Sequence, residues 1–177
     1  MKKVLALLLV LIITAVCFSA CSKNENGNDA KKEESKTAQS VSMYDLYKAM
    51  IASSDKLDES AMQYASSSDD GADVTFKKVS YIDYAKVDSY FITAATDGAS
   101  NCDELVVIQL KDAADVNEAV ESLNTHLSKR KDLYKTYAPE LLPKLELARV
   151  FSQDNLAVLI ICDDPDAVQT ALKDFVK

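Results

Sequence analysis

The chain has 177 residues and a formal charge of −8. That acidity argues against nucleic acid or anionic lipid as a partner, because both reward clustered Lys and Arg. With His126 as the only histidine, no Cys-x-x-Cys pair and three isolated glycines, the sequence has neither a zinc-ligand spacing nor a glycine-rich phosphate loop.

Lys2 and Lys3 precede an apolar run from Val4 to Val16, and Phe18-Ser19-Ala20-Cys21 follows. A basic start, a short apolar stretch and small residues before a cysteine form a lipoprotein signal. The run is too short for the roughly 20 apolar residues that a membrane-spanning helix needs, and strongly polar residues 22–28 come next. The expectation is a leader over residues 1–20 and a lipid on Cys21, which holds the chain on the outer face of the cell membrane. Phe18 stands where Leu, Val or Ile is more usual, and Cys17, after Thr14-Ala15-Val16, is a poorer second site. Loss of the two leader lysines takes the charge from −8 to −10, and this acidity keeps an exported domain soluble.

Residues 21–42 carry the lipidated Cys21 and then a polar stretch in which four lysines balance Glu25, Asp29, Glu33 and Glu34. With no large apolar residue before Val41, this stretch reads as a flexible tether, about 25 Å in average reach and about 70 Å fully stretched. Residues 43–177 are long enough for one domain with its own core.

Within that domain Ser42-x-x-Asp45 resembles a capping box, and Met43, Leu46 and Met50 follow at helical spacing, predicting a helix to about Ser53. Leu57, Ala61, Met62 and Tyr64 fit one short further helix before the polar turn 66–71, which lacks the ligand spacing of a calcium loop. Val87 to Ala95 and Glu104 to Leu110 are β-rich runs flanking the turn residues 97–101, and so form a hairpin. Val116, Val120, Leu123, Leu127 and Tyr134 mark a long amphipathic helix within 113–137, which Pro139 stops. A second hairpin is predicted from Leu145 to Ser152 and Leu156 to Cys162, turning at Gln153-Asp154-Asn155. Asp164 and Pro165 open a last helix whose buried face carries Val168, Ala171, Leu172 and Phe175. The expected fold class is α+β: a mainly antiparallel four-stranded sheet with packed helices, in the order αα-ββ-α-ββ-α. Both faces of its strands are apolar, so the second face needs a cover, either the segment Ser42 to Tyr64 or a partner or second copy of the chain.

Asp103-Glu104-Leu105 opening a strand, Arg130 in the long helix, Tyr137-Ala138-Pro139-Glu140 ending it, and the terminal hairpin with its Asp-Pro helix resemble an uncharacterised family of small bacterial lipoproteins. It is the domain-of-unknown-function family four-three-five-eight, typical of Gram-positive anaerobes, and the resemblance runs from about Met43 to Lys177. Where that family has a Gly-Asn-Tyr type of turn between its last strands, this chain has Gln153-Asp154-Asn155-Leu156. The resemblance implies no activity, ligand or catalytic residue.

The residues themselves offer little chemistry. His126 reads as a solvent-facing helix residue, and nothing in the sequence brings it to Cys102 or Cys162 as a nucleophile's base. Asp103-Glu104 and Asp163-Asp164 sit at strand ends and caps, where acids serve structure. Cys102 and Cys162 are the one pair able to form a disulfide in an oxidising exterior, although Cys162 at the end of an apolar run also suits a small buried hydrophobe. Arg130 interrupts an apolar stripe and wants a carboxylate such as Glu104 or Glu140, or else snorkels to water; it is the single candidate for binding an acidic group. No catalytic residue, metal or cofactor is expected. The leading expectation is a non-catalytic binding or interaction module, with an envelope protein or a second copy as partner. The alternative is a small envelope hydrolase using acidic residues.

Overall fold

A computed structural model describes residues 42–177. The leader 1–20, Cys21 with its lipid, and the tether up to residue 41 lie outside the described residues.

The architecture is α+β, and one five-stranded antiparallel sheet organises it, in the order β1-β2-β3-β5-β4. The strands are β1 (Met62–Ser66), β2 (Val87–Ala95), β3 (Glu104–Leu110), β4 (Arg149–Gln153) and β5 (Leu156–Ile161). Five helices accompany them: α1 (Met43–Ala52), α2 (Ala72–Phe76), α3 (Val116–Tyr137), α4 (Leu142–Leu147) and α5 (Pro165–Phe175). None of these helices is long and apolar enough to cross a membrane.

β3 and β5 lie at the centre, every residue of both is buried, and successive side chains point to opposite faces. On one face Val106, Ile108, Ala157, Leu159 and Ile161 pack with Phe76 of α2, Leu123 and Leu127 of α3, and Leu145 of α4. On the other, Leu105, Val107, Val158 and Ile160 pack with Leu46, Tyr47 and Met50 of α1 and with Val168 and Leu172 of α5. The second face is therefore covered from within the chain by α1 and α5, and needs no partner or second copy to cover it. Of the expected covering segment Ser42 to Tyr64, only α1 is an α-helix, and α5 shares its work.

Sequence pattern and structure differ at three elements, so that four expected strands become five and the order becomes α-β-α-ββ-αα-ββ-α; one of the three is α2, a short helix after Gly71 that the sequence pattern does not mark. Met62 to Ser66 is a strand rather than the end of a short helix. Asp58 caps a single 3₁₀ turn, after which Tyr64 pairs with Thr93 along the edge of β2. Pairing to a strand already in place outweighs the helical spacing of a few apolar residues. The second hairpin also starts later than Leu145, because residues 142–147 form α4 with Pro143 in its first turn. Pro suits that position, where its missing N–H costs nothing, and Leu145 then enters the core from a helix.

Elsewhere the local signals hold. Ser42 caps α1 by accepting from the Asp45 N–H at 3.4 Å, and the β2–β3 register runs without a break from Ser89↔Gln109 to Ala94↔Glu104. The final hairpin closes through Gln153↔Leu156, with Asp154 in the left-handed region at φ 52, which Asp tolerates better than most residues. Asn155 secures this turn to β3, its amide donating to the Leu110 carbonyl at 2.7 Å. The hairpin thus stands with Gln153-Asp154-Asn155 at its turn and no glycine there.

Leu46 is fully buried between α1 and the sheet. Leu46→Ala is expected to cost about 2–5 kcal/mol of unfolding free energy. Urea denaturation would show it as a lower midpoint at unchanged slope.

Candidate functional site

Two acids at successive positions, Asp103 and Glu104, are each 2% exposed where β3 begins. A carboxylate that deep must be paired, and each finds its partners on a different element. Glu104 meets α3: His126 Nε2 lies 2.8 Å from Oε1 and Arg130 Nε lies 3.1 Å from Oε2. Because an ionised carboxylate only accepts, Nε2 carries the proton in the first contact. The second is an ion pair without hydrogen-bond alignment, since neither Glu104 Oε2 nor Arg130 Nε has a hydrogen-bond partner.

Arg130 has two further contacts. Its guanidinium lies over the Tyr134 ring, 4.9 Å from the centroid, a cation–π geometry, and Nη2 reaches the Cys102 carbonyl at 3.5 Å. The Tyr134 hydroxyl in turn donates to the Gly98 carbonyl at 2.9 Å, which ties α3 to the β2–β3 turn. A Cβ at position 98 would stand 3.4 Å from that hydroxyl, so a small residue suits the approach.

Asp103 is held from α4. Lys144 Nζ contacts Asp103 at 2.8 Å, Asp163 beyond β5 at 2.9 Å and the Asn101 side-chain carbonyl at 3.1 Å. Burial works against the Lys144 charge, but Asp103 and then Asp163 outweigh it and hold its pKa above the ordinary lysine value. Asp164 next door accepts from the Ala167 N–H at 3.3 Å and caps α5. The acids at strand ends thus serve structure, and Asp103, Glu104 and Asp163 each face a cation.

Among the described residues, Cys102 and Cys162 are both free and buried. Cys102 belongs to the core on the α3 face and Cys162 to the core on the α1 face, and no disulfide joins them. Burial raises the Cys102 thiol and pushes the Cys162 thiol up to about 11. A nucleophilic thiol needs the opposite shift. Cys162 is the small buried hydrophobe that its apolar run indicates.

Arg130 takes Glu104, one of the two partners expected for it. His126 departs from expectation: its side chain is 14% exposed and faces Glu104 rather than solvent. The helix phase carried that signal, since residues 123, 126, 127, 130 and 134 share one stripe. Lys144 was not legible because it depends on α4, which the sequence pattern reads as strand. Chemically, the cluster fixes charges in place; it locks the start of β3 to α3, α4 and the end of β5.

The fold and its charged edge define an antiparallel α+β domain with helices on both faces. The family described as "Domain of unknown function (DUF4358)" matches residues 60–162, more than half of the chain, and the protein belongs to that family. The match spans all five strands with α2, α3 and α4, but neither α1 nor α5, and so is narrower than the expected 43–177. No curated protein and no solved structure matches the chain.

Removing the guanidinium strands a buried carboxylate. Arg130→Ala is expected to cost about 3 kcal/mol, whereas Glu104→Leu combined with Arg130→Met recovers most of the loss, as replacement of a buried ion pair by apolar groups commonly does. A double-mutant cycle by chemical denaturation measures both.

The thiols predict an alkaline weakness. An unfolded Cys162 ionises near its ordinary pKa while the folded one stays protonated up to about 11. The unfolded state then binds fewer protons, and stability falls as pH rises through that window. Midpoints measured between about pH 8 and pH 10 are expected to fall, and to fall less steeply in Cys162→Ala.

Proposed function

We propose that this protein is a lipoprotein of the cell envelope, held through Cys21 on the outer face of the membrane of a Gram-positive bacterium, whose domain is a non-catalytic binding or interaction module. Phe18-Ser19-Ala20-Cys21 after a basic start and a short apolar run carries the anchoring. The polar residues that follow give the domain reach from the membrane surface without a spanning helix. The non-catalytic reading is supported by the charged edge of the sheet. Asp103, Glu104, Asp163, His126, Arg130 and Lys144 are engaged with one another, and both thiols of the domain are held unreactive by burial. An envelope protein or a second copy of the chain remains the partner class this reading favours over nucleic acid, given the net acidity.

The deciding experiment is metabolic labelling with a fatty acid. Wild-type protein is expected to incorporate label, and Cys21→Ala to lose it and accumulate as unprocessed precursor or shed protein. Label that survives Cys21→Ala, or that disappears only with Cys17→Ala, refutes the assignment.

A further inference from the structure

At the β1 side of the sheet, on the face covered by α1, the start of α1 leaves a half-open cleft of about 420 Å³, a volume in the range of small-ligand sites. Its lining is unusual in this chain. Charged residues make up 27% of the sequence, yet among the described residues none lines the cleft, which is built from serines, two tyrosines and one methionine. Among the lining residues are Tyr44 and Ser42 from the start of α1, Tyr64 and Ser66 from β1, Ser67 just beyond it, and Ser89 from β2.

The two rings are fixed at a right angle. Tyr44 and Tyr64 meet edge to face with centroids 5.9 Å apart and planes at 89°. Behind them Tyr47 packs 4.6 Å from Tyr64 and 5.7 Å from buried Phe91. Tyr47 is itself held by its hydroxyl, which donates to Glu59 at 3.3 Å. Tyr44 is nevertheless 57% exposed, a large apolar surface on a rigid support that the core does not use. The serines are also positioned. Ser67 Oγ accepts from the Tyr90 N–H at 3.3 Å, Ser66 Oγ accepts from the Ser68 N–H at 3.3 Å, and Ser89 Oγ donates to Gln109 at 3.0 Å. A hydroxyl has one donor and two acceptor sites, so each keeps capacity beyond the contact that orients it.

We propose that this cleft binds a neutral, hydroxyl-rich glycan chain. A sugar ring presents C–H bonds on its faces and hydroxyls around its rim. Its face suits the electron-rich face of an exposed tyrosine, and its rim suits hydroxyls that both donate and accept. An anionic ligand finds no cation among the described lining residues and meets instead the Asp69 carboxylate, which accepts from the Ser66 N–H at 2.7 Å, and a purely apolar one would bury the serines unpaired. Preorganised rings and hydroxyls also reduce the ordering cost of binding. The proposal rests on the reading of the domain as a binding module and gives that module its ligand class. Ser42 and Tyr44 precede the family-matched residues while Tyr64, Ser66, Ser67 and Ser89 lie within them, so the site joins the matched sheet to a helix outside the match.

The test uses the full chain in detergent micelles, titrated calorimetrically with cellotetraose and chitotetraose as neutral probes. Tetragalacturonate serves as an acidic probe and a Gly-Ser peptide of like length as an uncharged non-sugar. At least one neutral tetrasaccharide is expected to bind with a Kd of order 0.1 mM, and Tyr44→Ala to weaken it about tenfold or more. Tyr44→Ala should leave the melting temperature nearly unchanged, since the ring is mostly exposed, and Tyr81→Ala, equally exposed but outside the cleft, should bind as wild type. The proposal is overturned by absence of binding at about 10 mM of both neutral sugars, by affinity indifferent to Tyr44→Ala, or by preference for the acidic sugar or the peptide. Failure here with Cys21 labelling intact removes the ligand and leaves the anchored module standing. Sugar binding with labelling lost removes the anchor and leaves the cleft.

Discussion

β3 and β5 are buried along their whole length, and the rest of the fold answers to that. A sheet whose central strands are apolar on both faces cannot leave either face in water, so helices must cover both. α2, α3 and α4 supply one layer and α1 with α5 the other. Because α1 and α5 come from opposite ends of the domain, the second face is not fully covered until both have docked. The long-range pairing of β3 with β5 across the whole of α3 and α4 adds a further non-local closure.

The ends of such a sheet raise a second difficulty, since backbone and side chains there are half buried and still polar. Here the difficulty is met with charge. Glu104 points to the α3 face and draws in His126 and Arg130, while Asp103 draws in Lys144, which also reaches Asp163. Buried ion pairs of this kind add little net stability over an apolar replacement. They do penalise misplacement: sliding α3 by one turn would leave Glu104 without its partners on that helix. We read the cluster as fixing the position of α3 and α4 against the sheet, a role that the hydroxyl of Tyr134 extends to the β2–β3 turn.

Strong local signals were legible in the sequence. β2, β3 and the caps of α1 and α5 stand where composition and capping residues put them, because hydrophobic runs and Asp or Ser caps act over a few residues. β1, α2 and α4 were not legible, since each is short and is decided by neighbours distant in sequence: β1 by the open edge of β2, α2 by the core that takes Phe76, α4 by the space for Leu145 beneath it. The site divides in the same way. That Arg130 needs a carboxylate followed from an arginine in an apolar stripe, and Glu104 was one of two named partners. That His126 shares the carboxylate depended on knowing that α3 turns the same face to the start of β3. Asp103 and Lys144 meet only once α4 exists.

The family match and the folding unit do not coincide. Residues 60–162 contain the sheet and one helical layer, but Leu105, Val107, Leu156, Val158 and Ile160 on the opposite face pack on Leu46, Met50, Val168 and Leu172, which all lie outside the match. Each such side chain contributes about 1.5–3 kcal/mol when taken from water, and typical domain stabilities are only about 5–15 kcal/mol. A fragment cut at the matched residues would therefore lose the layer that its own sheet requires. The stable unit runs from α1 to α5, and the glycan cleft lies where the borrowed layer begins, with Tyr44 contributed by α1 and Tyr64 by β1.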